Sequence, residues 1–134
     1  MRQRILARDI KLKRAYSSPS AGDGTRILID RLWPRGVRKS DAAIDRWIKG
    51  IAPSTALRKW FGHKPARWQE FCRRYAAEIY DNADQLAELR AEARKGPVTL
   101  VFGARDELHN DAVVLRNVLL GRVAERVRGA IRGA

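Results

Sequence analysis

The fold is decided by the segment Arg26-Ile27-Leu28-Ile29-Asp30-Arg31-Leu32-Trp33-Pro34-Arg35-Gly36, which changes character halfway along. It begins with an apolar run that is typical of a buried strand, and it continues with a carboxylate, two guanidiniums and an indole. A proline and a glycine then favour a turn. Ligands of open α/β sheets bind beyond the carboxyl ends of the strands, so we expect a binding site here.

Two further strands are predicted from the same kind of pattern. Residues 9–16 alternate polar and apolar side chains, which indicates a half-buried strand, whereas residues 98–102 are nearly all apolar, which indicates an interior strand of a parallel sheet. The loop at 17–24 is too short for an ordinary crossover helix. The first two strands therefore form either a hairpin or a parallel pair joined by a loop.

A helical insert is predicted between the second and third strands. Ser40 is a candidate N-cap for a helix that carries Ile44, Trp47, Ile48 and Ile51 at helical spacing. The insert continues with a short helix after Pro53-Ser54-Thr55, a helix from residue 66 with an apolar stripe, and a helix over 82–95. A long helix after the third strand has its apolar positions between 112 and 123. The predicted fold class is α/β: a single compact domain with a small, mostly parallel sheet covered by helices.

The length of 134 residues fits one domain, which we place at 1–134. The net charge of +13 is concentrated at the ends, with +5 in residues 1–16 and +4 in residues 116–134. No apolar run is long enough to span a membrane, and no segment resembles a signal peptide. We therefore expect no membrane partner and a cytoplasmic protein.

Cofactor and metal motifs are not found in the sequence. The chain has one cysteine, Cys72, which lies in a helical pattern and is interpreted as a packing residue, and no Cys/His cluster has zinc spacing. Glycine-rich phosphate and dinucleotide fingerprints are missing, as are serine-hydrolase and zinc-protease motifs. The sequence thus predicts no metal site and names no cofactor.

Two predicted strand ends supply the candidate site residues. Paired guanidinium donors suit a phosphate or carboxylate, and a histidine beside a carboxylate suits proton transfer. The candidates for proton transfer are Asp30, His63, Asp106 and His109. The candidates for ligand binding are Arg31, Trp33, Arg35, Ser54, Arg58, Arg105 and Asn110. Structural alternatives stay open for several of them: an Asp30–arginine ion pair, packing by Trp33, a loop role for His63 and a cap-region role for His109.

The motifs resemble the YeaO-like family, a branch of the domain-of-unknown-function 488 group. The resemblance is carried by residues 26–36, by Trp60-Phe61-Gly62-His63, and by residues 98–106 with His109-Asn110, and it covers about 10–120. It implies a compact α/β domain and no particular activity. A related branch has a cysteine after the last strand and a Cys-His-Arg motif in the next loop, where this chain has Gly103 and His109-Asn110. The basic helical tail at 121–134 lies outside the resemblance.

Two functions follow from these observations. The first is an enzyme or binding protein for an anionic small molecule, phosphorylated or nucleotide-like, held at the carboxyl ends of the strands. The alternative is a nucleic-acid-binding or regulatory module that uses the basic termini. No helix-turn-helix pattern or aromatic-rich binding strand favours the alternative, and the sequence does not predict an oligomeric state.

Overall fold

A computed structural model describes residues 4–125 of the chain. Its strands are β1 (Ile10–Arg14), β2 (Thr25–Leu28), β3 (Arg46–Trp47) and β4 (Val98–Phe102). Its helices are α1 (Lys39–Ala42), α2 (Thr55–Phe61), α3 (Trp68–Asp81), α4 (Ala83–Lys95) and α5 (Asp111–Leu119). Short 3-10 turns precede β1, β2, α2 and α3. The positions of the predicted tail beyond residue 125 lie outside the described part of the chain.

The sheet has the order β1-β4-β2-β3, and every neighbouring pair is parallel. The interior position predicted for residues 98–102 is confirmed, because β4 is flanked by β1 and β2. The predicted pairing of the first two strands is wrong, whether as a hairpin or as a parallel pair, since β4 lies between them. All four strands consequently end at one edge, which we call the carboxyl edge.

The two faces of the sheet are covered differently. Alternate strand residues such as Ile27 and Leu100 pack against apolar side chains of α2 to α5 in one large core. The opposite face carries Leu28 and Val101, and it is covered by the segment that follows β2, through Trp33, Val37, Ile44 and Trp47. Both faces are shielded, as a parallel sheet requires.

The predicted helix with Ile44, Trp47, Ile48 and Ile51 is wrong. The chain leaves α1 through Ala43, which has a left-handed backbone with φ of 50°, and then forms the edge strand β3. The Asp45 backbone N–H donates to the Arg26 carbonyl at 2.9 Å, and the Ile48 N–H donates to the Leu28 carbonyl at 3.0 Å. Pairing with β2 thus outweighs the local helical pattern.

The other predicted helices are present. The stripe of apolar residues forms α3, and Leu86 and Leu89 of α4 are buried. The last helix is shorter than expected, because α5 ends at Leu119 and Gly121 has a φ of 74°. Val123, predicted as a helical position, instead packs against the core and accepts a hydrogen bond from Tyr80 at 2.5 Å.

Candidate functional site

A cleft of about 880 Å³ opens at the carboxyl edge of the sheet. The loops after β2 and β4 form its floor, and α2 and the start of α3 form one wall. The predicted site residues that line it are Asp30, Arg31, Trp33, Arg35, Arg58, His63, His109 and Asn110. The two strand ends identified from sequence therefore do meet in one cleft, because their strands are parallel neighbours.

The floor of the cleft contains a pair of carboxyl groups, Asp30 and Asp111, which we call the acid pair. Asp30 follows β2 and accepts a hydrogen bond from the Gly103 backbone N–H at 2.8 Å, which joins the ends of β2 and β4. Asp111 is the first residue of α5, and its carboxyl group lies beside that of Asp30 in the lining of the cleft. The expected alternative, an ion pair between Asp30 and an arginine, is not found among residues 4–125.

The environment of Asp111 favours its protonated form. Burial and the adjacent Asp30 carboxylate both disfavour its negative charge, and they raise the pKa of Asp111 well above its ordinary value. The protonated carboxyl can then donate to Asp30. Protonation of Asp111 lessens the negative charge that the acid pair presents to the cleft.

Sequence reasoning missed Asp111. Asn110 is the N-cap of α5: its side-chain oxygen accepts from the Val113 N–H at 3.1 Å, and its amide donates to the Asp106 carbonyl at 2.9 Å. An acidic residue directly after an N-cap is usually interpreted as a partner of the helix dipole. Only the approach of β2 to α5 shows that this residue faces a second carboxylate.

The predicted partnership of Asp106 and His109 is observed. The His109 Nδ1 lies 3.0 Å from an Asp106 carboxylate oxygen, and the edge of the ring contacts Trp68 with ring centres 5.0 Å apart. Hydrogen bonds from the Leu108 backbone N–H and from His109 lower the pKa of Asp106. His109 lines the cleft with a fixed ring orientation, and Asp106 lies behind it, outside the lining.

His63 reaches the cleft from the loop after α2. Gly62 and His63 both have left-handed backbone angles, with φ of 53° and 55°, and the imidazole lies 5.8 Å from the ring of Phe61. Phe61 in turn stacks on Phe71 with ring centres 4.4 Å apart. These two phenyl rings line the cleft, although their helical spacing alone indicates only core packing.

Four cationic side chains line the same cleft as the acid pair: Arg31, Arg35, Arg58 and Lys59. Arg31 donates to the Thr55 hydroxyl at the start of α2. The backbone carbonyl of Arg35 accepts from the Tyr16 hydroxyl at 2.9 Å, so the loop is anchored while the guanidinium stays exposed. The loop after β2 is thus tied to α2 through Arg31 and to the segment after β1 through Arg35.

Trp33 has a packing role. Its indole N–H donates to the Val37 carbonyl at 2.7 Å, and its ring meets Trp47 edge-on with centres 5.6 Å apart. The ring is half-buried against the second face of the sheet, so only part of it borders the cleft.

Two predicted ligand-binding residues do not line the cleft. Ser54 caps α2, since its hydroxyl oxygen accepts from the Leu57 N–H at 3.1 Å, and it donates to Glu78 at 2.6 Å. Arg105 is exposed in the loop after β4. Neither position is brought to the acid pair.

The described residues contain no cluster of three or more His, Cys, Asp or Glu side chains that could hold a metal ion. Cys72 is half-buried in α3, and burial raises the pKa of its thiol to about 11, which favours the less reactive neutral thiol at neutral pH. No helix within residues 4–125 has the length and apolar character needed to cross a membrane.

Comparison with known proteins gives the family. A family model described as "Inactive DUF488-N3 subclade" matches residues 9–132. The uncharacterized protein Rv3073c of Mycobacterium tuberculosis is 42% identical over 113 residues, which are 84% of this chain and 95% of the relative. The uncharacterized protein YeaO of Escherichia coli is 41% identical over 111 residues, which are 83% of this chain and 96% of YeaO. No solved structure matches the chain significantly. The chain therefore belongs to the inactive DUF488-N3 subclade and is a YeaO-like protein.

Proposed function

We propose that this protein binds an anionic small molecule, phosphorylated or nucleotide-like, in the cleft at the carboxyl edge. The observation that carries the proposal is that four cationic side chains, Arg31, Arg35, Arg58 and Lys59, line one cleft. The raised pKa of Asp111 favours a protonated carboxyl on the floor, which opposes an anion less than two carboxylates would. Guanidinium groups offer paired donors in one plane, which suit the oxygens of a phosphate or carboxylate.

The walls favour a ligand that also carries a ring. Phe61 and Phe71 supply apolar surface beside the cations, and the volume of about 880 Å³ lies in the range of small-molecule sites. The acid pair can accept a hydrogen bond from a ligand hydroxyl or ring N–H. The imidazole of His109, which Asp106 orients, can form a second hydrogen bond with the ligand. A nucleotide has all three features: an anion, a ring and hydroxyl groups.

Binding without turnover is the form of the proposal that the family favours. The subclade is described as inactive, and the thiol chemistry of the related branch has no counterpart at Gly103 and His109. Proton transfer by Asp30, His63, Asp106 and His109 stays a prediction, to be tested by product analysis once a ligand is known.

The basic ends support a nucleic-acid role less than their charge suggests. Lys11 donates to the Gly22 carbonyl at 2.8 Å, Arg14 donates to the Ala104 carbonyl at 2.8 Å, and Arg116 donates to the Ile10 carbonyl at 2.8 Å. These side chains hold the fold together, so they are less available to phosphates.

A thermal-shift screen tests the proposal. The panel contains nucleoside monophosphates, sugar phosphates and dicarboxylates, and the variants are Arg35→Ala in the cleft and Arg94→Ala as control. Arg94 lies in the last turn of α4, at the opposite edge of the sheet, and carries the same charge. We expect at least one anion to stabilise the wild type and the control. Its affinity for Arg35→Ala should be roughly 10- to 150-fold weaker, since a hydrogen bond to a charged group contributes roughly 1.5–3 kcal/mol. Equal stabilisation of both variants, or none by any anion, would overturn the proposal.

A further inference from the structure

Besides the two ends of the chain, a second region of concentrated positive charge lies next to the cleft. Residues 55–74 carry a net charge of +5, whereas the rest of 17–115 carries −1. This segment comprises α2, the turn after it and the first half of α3. The net positive charge of residues 17–115 therefore comes from this one helical segment.

The corner is assembled around Trp60. The guanidinium carbon of Arg74 lies 4.3 Å from the centre of the indole ring and that of Arg67 lies 5.2 Å from it. Arg67 also donates to the Trp60 carbonyl. Lys64 is exposed in the turn between the two helices. We call Lys64, Arg67 and Arg74, together with Trp60, the cationic corner.

The corner stays positive despite its one acid. Glu70 pairs with Arg73 at 2.6 Å and with Arg74 at 2.7 Å, and these two guanidiniums lower the pKa of Glu70 to about 2. One carboxylate thus faces two arginines. No ion pair with an acid is formed by Lys64 or Arg67 among residues 4–125.

The corner is continuous with the cleft. Arg58 and Lys59 of α2 line the cleft, and Trp60 follows them on the same helix. A free small anion in the cleft would contact Arg31, Arg35 and Arg58. It would not reach the corner, whose positive charge is offset, within the described part of the chain, only by Glu70. A chain of phosphates that leaves the cleft and crosses α2 would contact both sets.

We propose that the protein binds single-stranded nucleic acid, with one nucleotide in the cleft and the adjoining backbone phosphates on the cationic corner. This inference rests on the proposed function, because it names the ligand of the same cleft as one unit of a polymer. A single strand is required because a base inside a duplex cannot enter a concave pocket without leaving its stack. Spaced cations beside an aromatic-walled pocket are the usual elements of single-strand binding.

The experiment compares a fluorescein-labelled oligouridylate of eight nucleotides, followed by anisotropy, with UMP, followed by calorimetry. Both probes are measured with the wild-type chain and with three variants. The corner variant is Lys64→Ala/Arg74→Gln, and the cleft variant is Arg35→Ala. The control is Lys95→Ala/Arg94→Gln, at the opposite edge of the sheet. Lys64→Glu alone is a second corner variant, chosen because the Lys64 side chain is exposed.

We expect the corner variant to bind the oligonucleotide about ten-fold more weakly at 0.1 M salt, with a salt slope smaller by about 1.4, because each lost phosphate contact removes about 0.7 from the slope. UMP binding should be unchanged in the corner variant, and the control should match the wild type with both probes. Arg35→Ala should weaken both probes.

Two results would overturn the inference. If the corner variants bind the oligonucleotide like the wild type, or if UMP binds as tightly as the oligonucleotide with the same salt slope, the corner has no role and the small-molecule proposal alone survives. If Arg35→Ala changes neither probe, or neither probe binds, the cleft proposal fails and this inference falls with it.

Discussion

Replacement of Asp111 by asparagine isolates the shared proton of the acid pair. The asparagine amide can donate to the Asp30 carboxylate as the protonated Asp111 does, and its oxygen can still accept from the Ala112 N–H, which lies 2.9 Å from the aspartate oxygen. The amide cannot ionise. Asp111→Asn therefore mimics the protonated state at every pH, whereas Asp111→Ala removes the donor.

The expected magnitudes follow from this geometry. A hydrogen bond to a charged group contributes about 1.5–3 kcal/mol, so Asp111→Ala should lower the free energy of unfolding by that amount at pH 5. Asp111→Asn should stay within about 1 kcal/mol of the wild type at pH 5, because the bond is retained. In the wild type the folded chain keeps a proton that the unfolded chain releases above its ordinary pKa of 3.8. Stability of the wild type should consequently fall, relative to Asp111→Asn, as the pH rises above about 4.

The assay is urea unfolding followed by tryptophan fluorescence at pH 5, 6.5 and 8. The difference between the wild type and Asp111→Asn cancels the pH dependence of other groups, which matters in a chain with a net charge of +13. Parallel pH profiles for the two proteins would refute the shared proton. An Asp111→Ala variant as stable as the wild type would refute the hydrogen bond to Asp30.

The remaining predictions concern two groups that do not line the cleft, Asp23 and Cys72. Asp23 and Arg26 form an ion pair at 2.7 Å, and their side chains are only 2% and 4% exposed. Asp23→Ala should therefore lower the free energy of unfolding by about 3–5 kcal/mol at pH 7. A loss below about 1 kcal/mol would contradict the pairing. Burial opposes the charge of Asp23, but hydrogen bonds from Ser20, Lys13 and Arg26 outweigh it and lower its pKa, so wild-type stability should also decline as the pH falls below about 4. Cys72, with a pKa of about 11, should react with iodoacetamide at pH 8 at least ten-fold more slowly than free cysteine, and a rate equal to that of free cysteine would show an exposed thiolate.

The sequence predicts the parts of the fold that carry their own pattern. The apolar runs of β2 and β4 and the stripe of α3 identify these elements, because burial on both faces or on one helical face leaves a clear period. β3 has two residues, and it exists only because Asp45 and Ile48 bond to the backbone of β2. A strand made by tertiary pairing leaves no local signal.

The candidate site is predicted to the extent that it follows strand ends. Asp30, Arg31 and Arg35 come directly after β2, so the general position of ligands in parallel sheets locates them. Asp111 and Phe61 lie on helices whose local patterns have ordinary explanations, a dipole partner and a core residue. Their roles depend on which helices the fold brings against the carboxyl edge.

The cationic corner shows a related limit. Its charges are divided between the turn after α2 and the first half of α3, and each element alone has the composition of a solvated face. Only the packing of Arg67 and Arg74 on the Trp60 ring unites them. The net charges of the two ends of the chain therefore do not reveal that residues 55–74 are the most basic part of the segment between them.

The most direct test of ligand binding in the cleft is a titration of the ¹⁵N-labelled chain with UMP, followed by amide chemical shifts. We expect saturable shifts that are largest at the carboxyl edge, at Arg31, Gly103 and His109, and small at Thr25 and Val98, where β2 and β4 begin. Shifts that are largest at the opposite edge of the sheet, or that do not saturate at any position, would contradict it.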